Sequence, residues 1–122
     1  MAQRKIKVAE GIAAVRAVLA DETLRTEKSA QFVAAVRYLL EELSALRPGK
    51  SVEVRVPPLM AVQCIEGLEH RRGTPPNLVE MKSQDWFALA VGEVSWQELV
   101  SDGKIHASGT RSDISDAFPI WR

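Results

Sequence analysis

The 122-residue sequence holds one cysteine, Cys64, and two histidines, His70 and His106. A single thiol closes no internal disulfide, and there is no C-x-x-C motif or Cys/His cluster to supply the ligands of a structural zinc. A reducing setting is the simplest reading of this shortage, and the expected location is cytoplasmic. Neither sign of charge is in excess: 16 Lys and Arg face 16 Asp and Glu. A protein that grips nucleic acid needs a basic surplus or stripe, so no nucleic-acid partner is expected. No apolar run approaches the ~20 residues of a membrane span, which argues against integral membrane association. Arg4, Lys5 and Lys7 precede an apolar stretch, but Glu10 and Arg16 interrupt it, so it lacks the apolar core of a secretory signal. The G-x-S-x-G elbow, the phosphate loop and the dinucleotide fingerprint are also missing. These absences leave no metal and no cofactor to expect, and no common catalytic motif on which to read the chain as an enzyme.

What is present is strongly patterned. Val8, Ile12, Val15 and Leu19 recur at helical spacing, and Asp21-Glu22-Thr23 breaks the run. A second stripe follows, Phe32, Val36, Leu39, Leu43 and Leu46, widened by Val33 and Leu40. Thr26 or Ser29 is placed to cap it, and Pro48-Gly49 ends it. These two helices form a pair over residues 1–47, and the remainder, 50–122, carries strands and short helices. In SVEVRV the valines alternate with Glu53 and Arg55, which predicts a strand with one wet face. MAVQCI (60–65) reads as a strand covered on both faces apart from Gln63, and NLVEMK (77–82) as a third. Residues 66–77 form a polar loop punctuated by Gly and Pro.

The C-terminal third contains a short helix with both ends written into the sequence. Ser95 and Glu98 form an S-x-x-E capping box. Gly103 stands where a left-handed C-terminal cap is wanted. Ahead of it, Ser83 opens a helix carrying Trp86, Phe87, Leu89 and Ala90, stopped near Gly92. KIHAS (104–108) follows as a strand with Lys104, His106 and Ser108 on its polar side. The apolar residues of the tail, Ile114, Phe118, Ile120 and Trp121, are expected to pack back on the body. One domain over 1–122, of α+β class, accounts for all of this.

At this point a resemblance enters. WFALAVGEVSWQELVSDGKIHASG resembles the closing half of the sterol-carrier-protein domain. GKSVEVRVPPLMAVQ together with HRRGTPPNLVE is similar to bacterial sterol-carrier-like domains of unassigned role. Those are related to the second domain of mycothiol-dependent maleylpyruvate isomerase-type proteins. The resemblance extends over about residues 10–120. It implies a mixed sheet of about five strands covered by helices. As function it implies a hydrophobic cavity for a lipid or other small apolar molecule, and it carries over no catalytic residue.

Under that reading the pocket lies between sheet and helices, near Trp86, Leu89, Trp96 and Leu99, with Arg55 and the loop of His70, Arg72 and Thr74 as its polar rim and Asn77 nearby. A guanidinium fork suits an anionic head group. The same residues have plainer readings: Arg72 paired with Glu80 or Asp113, Phe87 as core, Trp96 as either core or pocket. His106 falls on the polar face of its strand, and Cys64 reads as a small buried hydrophobe. Two alternatives stand beside the carrier: an interaction domain that forms a homodimer or docks on a partner enzyme, and a small enzyme accessory using His70, Arg72 and Glu80.

Overall fold

The computed structural model describes residues 5–67 and 76–121. Helix α1 (Val8–Ala20) runs into a 3-10 turn (Glu22–Leu24) and then α2 (Ala30–Leu46). Strands β1 (Val52–Val56), β2 (Met60–Cys64) and β3 (Asn77–Glu80) follow, then α3 (Ser83–Ala90), α4 (Trp96–Ser101), β4 (His106–Ser108) and a second 3-10 turn (Ser115–Ala117).

The break after α1 has a local cause. The Asp21 carboxylate accepts from the Thr23 amide at 3.0 Å and its hydroxyl at 2.6 Å, closing a turn that competes with the helix. Of the two candidate caps for α2, Ser29 serves: its Oγ accepts from the Phe32 amide at 3.2 Å. Phe32, Val36, Leu39 and Leu43 are then wholly buried along one stripe. α1 lies against α2, and there Gly11 meets the ring of Tyr38. The chain entering α1 is tied to α2 by the buried Glu41, whose carboxylate accepts from the amides of Lys5 (2.8 Å) and Ile6 (3.3 Å).

The sheet order is β2-β1-β3-β4. β1 pairs antiparallel with β2 (Val54 opposite Val62) and parallel with β3 (Val54 opposite Val79), and β3 pairs antiparallel with β4 (Glu80 opposite His106). Among the described residues the sheet therefore has four strands, where the resemblance implies about five. The chain after β4 makes no further strand because it returns to α3, where the amides of Ile120 and Trp121 both donate to the Ala90 carbonyl. The helices cover one face. Val52, Val54, Val56, Cys64 and Val79 are fully buried there, against α2 and the Trp86 and Phe87 side chains of α3. The other face carries no helix among the described residues and holds Glu53, Arg55, Ala61, Gln63, Leu78, Glu80 and His106. β2 is thus covered on one side only: Ala61 and Gln63 are both exposed, because among the described residues only one helical layer packs on the sheet.

Both short helices end as their glycines dictate. Gly103, at φ +69°, and Gly92, at φ +83°, each close a Schellman motif. In the first, the Lys104 amide reaches the Leu99 carbonyl (2.9 Å). In the second, the Glu93 amide reaches that of Ala88 (2.9 Å). The Ser95–Glu98 capping box is formed in both directions (3.0 and 3.1 Å).

Candidate functional site

Two open clefts stand out on the surface, both built around α3 and α4. The first, of about 310 Å³, opens where α3 stops and α4 starts. The Schellman turn and the capping box fix the 91–95 connection, and the tail folds over it. Leu89, Val94, Trp96, Phe118 and Pro119 supply apolar walls. The rings of Trp96 and Phe118 stack with centroids 6.1 Å apart, and Trp86 meets Phe118 edge-on at 5.7 Å. Glu93, Gln97, Glu98 and Ser115 form the polar rim.

Two of those rim groups are already committed. Glu98 belongs to the capping box. Glu93 receives a bidentate pair of hydrogen bonds from Arg25 (2.6 and 2.7 Å), and the Arg25 guanidinium lies 4.8 Å above the Phe87 ring. The hydrogen bond from Arg25 holds the Glu93 carboxyl below the ordinary carboxylate range, and the same bond raises Arg25. Arg25 Nε is buried with no hydrogen-bond partner among the described residues. This latch fastens the turn after α1 to the cleft rim.

The second cleft is larger, about 540 Å³, and lies where β3 runs into α3 and α4 runs into β4. Pro57, Met81 and Gly103 line it together with Glu80, Lys82, Asp85, Lys104 and His106.

A family model described as bacterial SCP ortholog matches residues 28–120. The chain belongs to the bacterial SCP ortholog family. No curated protein matches the sequence. The matched stretch begins just ahead of α2 and takes in the whole sheet and every residue lining both clefts. α1 of this SCP-family chain lies outside it.

The structure divides the residues singled out from sequence. Leu89 and Trp96 come together at the first cleft, but at 1% and 7% exposed they belong to the core as well. Trp86 and Leu99 belong to the core: Trp86 is wholly buried and its indole N–H donates to the Val36 carbonyl at 3.3 Å, while Leu99 is 3% exposed. Arg55 is on the opposite, helix-free face of the sheet, where its Nε donates to Glu53. Asn77 is buried and its amide is used inside the SCP domain, donating to the Ser51 carbonyl at 2.8 Å and accepting from the Arg111 amide at 2.9 Å. His70, Arg72 and Thr74 lie outside the described residues, so of the trio His70, Arg72 and Glu80 only Glu80 is placed, in the second cleft.

Cys64 is fully buried in β2, and burial pushes its thiol up to about 12, which leaves it protonated and unreactive. Among the described residues no group of three or more His, Cys, Asp or Glu could hold a metal ion. Among them, too, no helix is long and apolar enough to cross a membrane. Sequence reasoning missed Phe118, Pro119, Val94 and Ser115 in the first cleft, and Pro57, Met81, Lys82, Asp85, Gly103 and Lys104 in the second. For Phe118 a signal existed, in the apolar tail that needed a surface to cover.

Proposed function

We propose that this SCP-family domain is a non-enzymatic carrier module that seats a small apolar ligand in the cleft between α3, α4 and the tail. The observation that carries this reading is the gathering of Val94, Phe118 and Pro119, above the buried Leu89 and Trp96, at a concave site ringed by polar groups. Family membership supports it. The rim adds a preference. Among the described residues Glu93 and Glu98 are the charged groups there and no cation lines the cleft, so a neutral ligand suits it better than a fatty acid.

Size sets the affinity. At roughly 0.8 kcal/mol per buried methylene, a twelve-carbon chain contributes about 10 kcal/mol when fully covered. Association costs at least ~4 kcal/mol, which leaves about 6, a Kd of tens of micromolar at best. The test is a titration with dodecyl maltoside below its micelle concentration, followed by tryptophan fluorescence and native mass spectrometry. Saturable one-to-one binding is expected. Ser115→Trp, which fills the cleft from its half-buried rim, is expected to weaken it at least tenfold at an unchanged melting temperature. Folded protein that shows no saturable binding, or a Ser115→Trp variant that binds as well as the parent, overturns the reading.

A further inference from the structure

The second cleft is chemically unlike the first. It brings together two ammonium groups, Lys82 and Lys104, two carboxylates, Glu80 and Asp85, and the imidazole of His106, beside the buried thioether of Met81. None of the five polar side chains has a hydrogen bond or ion pair within 4 Å among the described residues, although charges of both signs share one concavity. Elsewhere the chain does pair its charges at close quarters, as in Arg25–Glu93 and Arg55–Glu53. The cleft's volume, about 540 Å³, suits a small molecule. Pro57 and Met81 stand just beyond the carboxyl ends of the parallel strands β1 and β3.

We infer that this cleft is a binding site for a small aliphatic zwitterion, a molecule with an ammonium group at one end and a carboxylate at the other. A ligand of one charge would strip water from the groups of its own sign without replacing it, and that cost falls on every such ligand. A molecule carrying both signs satisfies both sets. Burial gives the orientation. Glu80 and Asp85 are half-buried, whereas Lys82 and Lys104 are exposed. The ligand's ammonium therefore points inward to the carboxylates, its carboxylate meets the lysines at the rim, and its methylenes lie along Met81. This site is independent of the apolar cleft and stands whether or not that cleft holds a ligand.

The experiment is a two-dimensional amide NMR titration of the full chain with three probes of equal length: 6-aminohexanoate, hexanoate and hexylammonium. Saturable shifts around Lys82, Asp85, Lys104 and His106 are expected with 6-aminohexanoate, with a Kd at least fivefold lower than for either singly charged probe. Lys104→Met and Asp85→Asn should each raise that Kd at least fivefold with no loss of melting temperature. The inference is overturned by no saturable shift at these residues, by hexanoate or hexylammonium binding as tightly, or by either variant binding like the parent.

Discussion

Gly11→Ala should destabilise this protein even though alanine is the better helix former. At an unobstructed helical position the exchange would stabilise by about 1 kcal/mol. At Gly11 the added carbon would sit 2.1 Å from Cδ1, 2.2 Å from Cγ and 2.8 Å from Cβ of Tyr38. Carbon atoms prefer separations of about 3.5–4.0 Å. Turning the ring cannot relieve all three clashes, because Tyr38 Cβ is fixed to the backbone of α2. The helices must move apart instead. That loosens Val15 and Val18, both wholly buried, and Ala14, which is 7% exposed. Overpacking of this kind costs about 1–3 kcal/mol, and three simultaneous clashes put it at the upper end. After the propensity gain, a net loss of about 1–2 kcal/mol remains. With an unfolding entropy of roughly 2.1 cal/mol/K per residue, each kcal/mol moves Tm by about 4 °C in a chain of this length, so calorimetry should record a fall of about 4–8 °C. In a Tyr38→Ala background the same change should raise Tm, since the obstacle is gone. A Gly11→Ala protein that melts at or above the parent would refute the argument, and with it the tight seating of α1 on the family-matched segment.

Three further outcomes follow from single contacts. Glu93 has a depressed folded-state pKa through its bond from Arg25, so the pair stabilises above the unfolded carboxyl pKa of about 4.3 and fades as pH falls through the folded value. With Glu93 40% exposed, Glu93→Gln should cost no more than about 1 kcal/mol at pH 7, and denaturant midpoints should converge with the parent below about pH 4; a gap that widens in acid contradicts this. Asn77→Ala strands the Ser51 carbonyl and the Arg111 amide, a loss of about 2–3 kcal/mol, and hydrogen exchange at the Arg111 amide should accelerate; unchanged protection there would show that the bond is not formed. The Cys64 thiol should react with an aromatic disulfide reagent only as fast as the protein opens, and rapid labelling of the native state would mean the strand is not sealed.

The elements that sequence made legible are those whose instructions are local. The capping box at Ser95 and Glu98, the left-handed glycine at 103 and the valine alternation of β1 each act within a few residues, so neither packing nor topology had to be known to read them. Leu89 and Trp96 were named for the candidate pocket, and they meet at the first cleft because they flank one short connection. Trp86, Leu89, Trp96 and Leu99 all carry the same apolar signal and all lie in the core, since periodicity reports that a side chain is covered and not whether protein or ligand covers it. Asn77 illustrates the polar counterpart: a buried amide can serve a ligand or the backbone, and here Ser51 and Arg111 use it.

The second cleft was illegible for a deeper reason. Each of its polar residues has a sufficient local explanation: His106 and Lys104 as the wet side of a strand, Lys82 as the step into α3, Asp85 as an acid in a first helical turn. Nothing in any one segment asks for the others. They meet because β4 pairs with β3 so that His106 stands opposite Glu80, and because the Schellman turn at Gly103 swings Lys104 out ahead of that strand. The register is set by apolar contacts on the other side, where Val79 and Ile105 are buried. A one-residue slip would move every side chain of β4 to the opposite face, burying His106 and exposing Ile105. The core thus decides where the charges stand, and the cleft inherits a charge pattern that no local rule required.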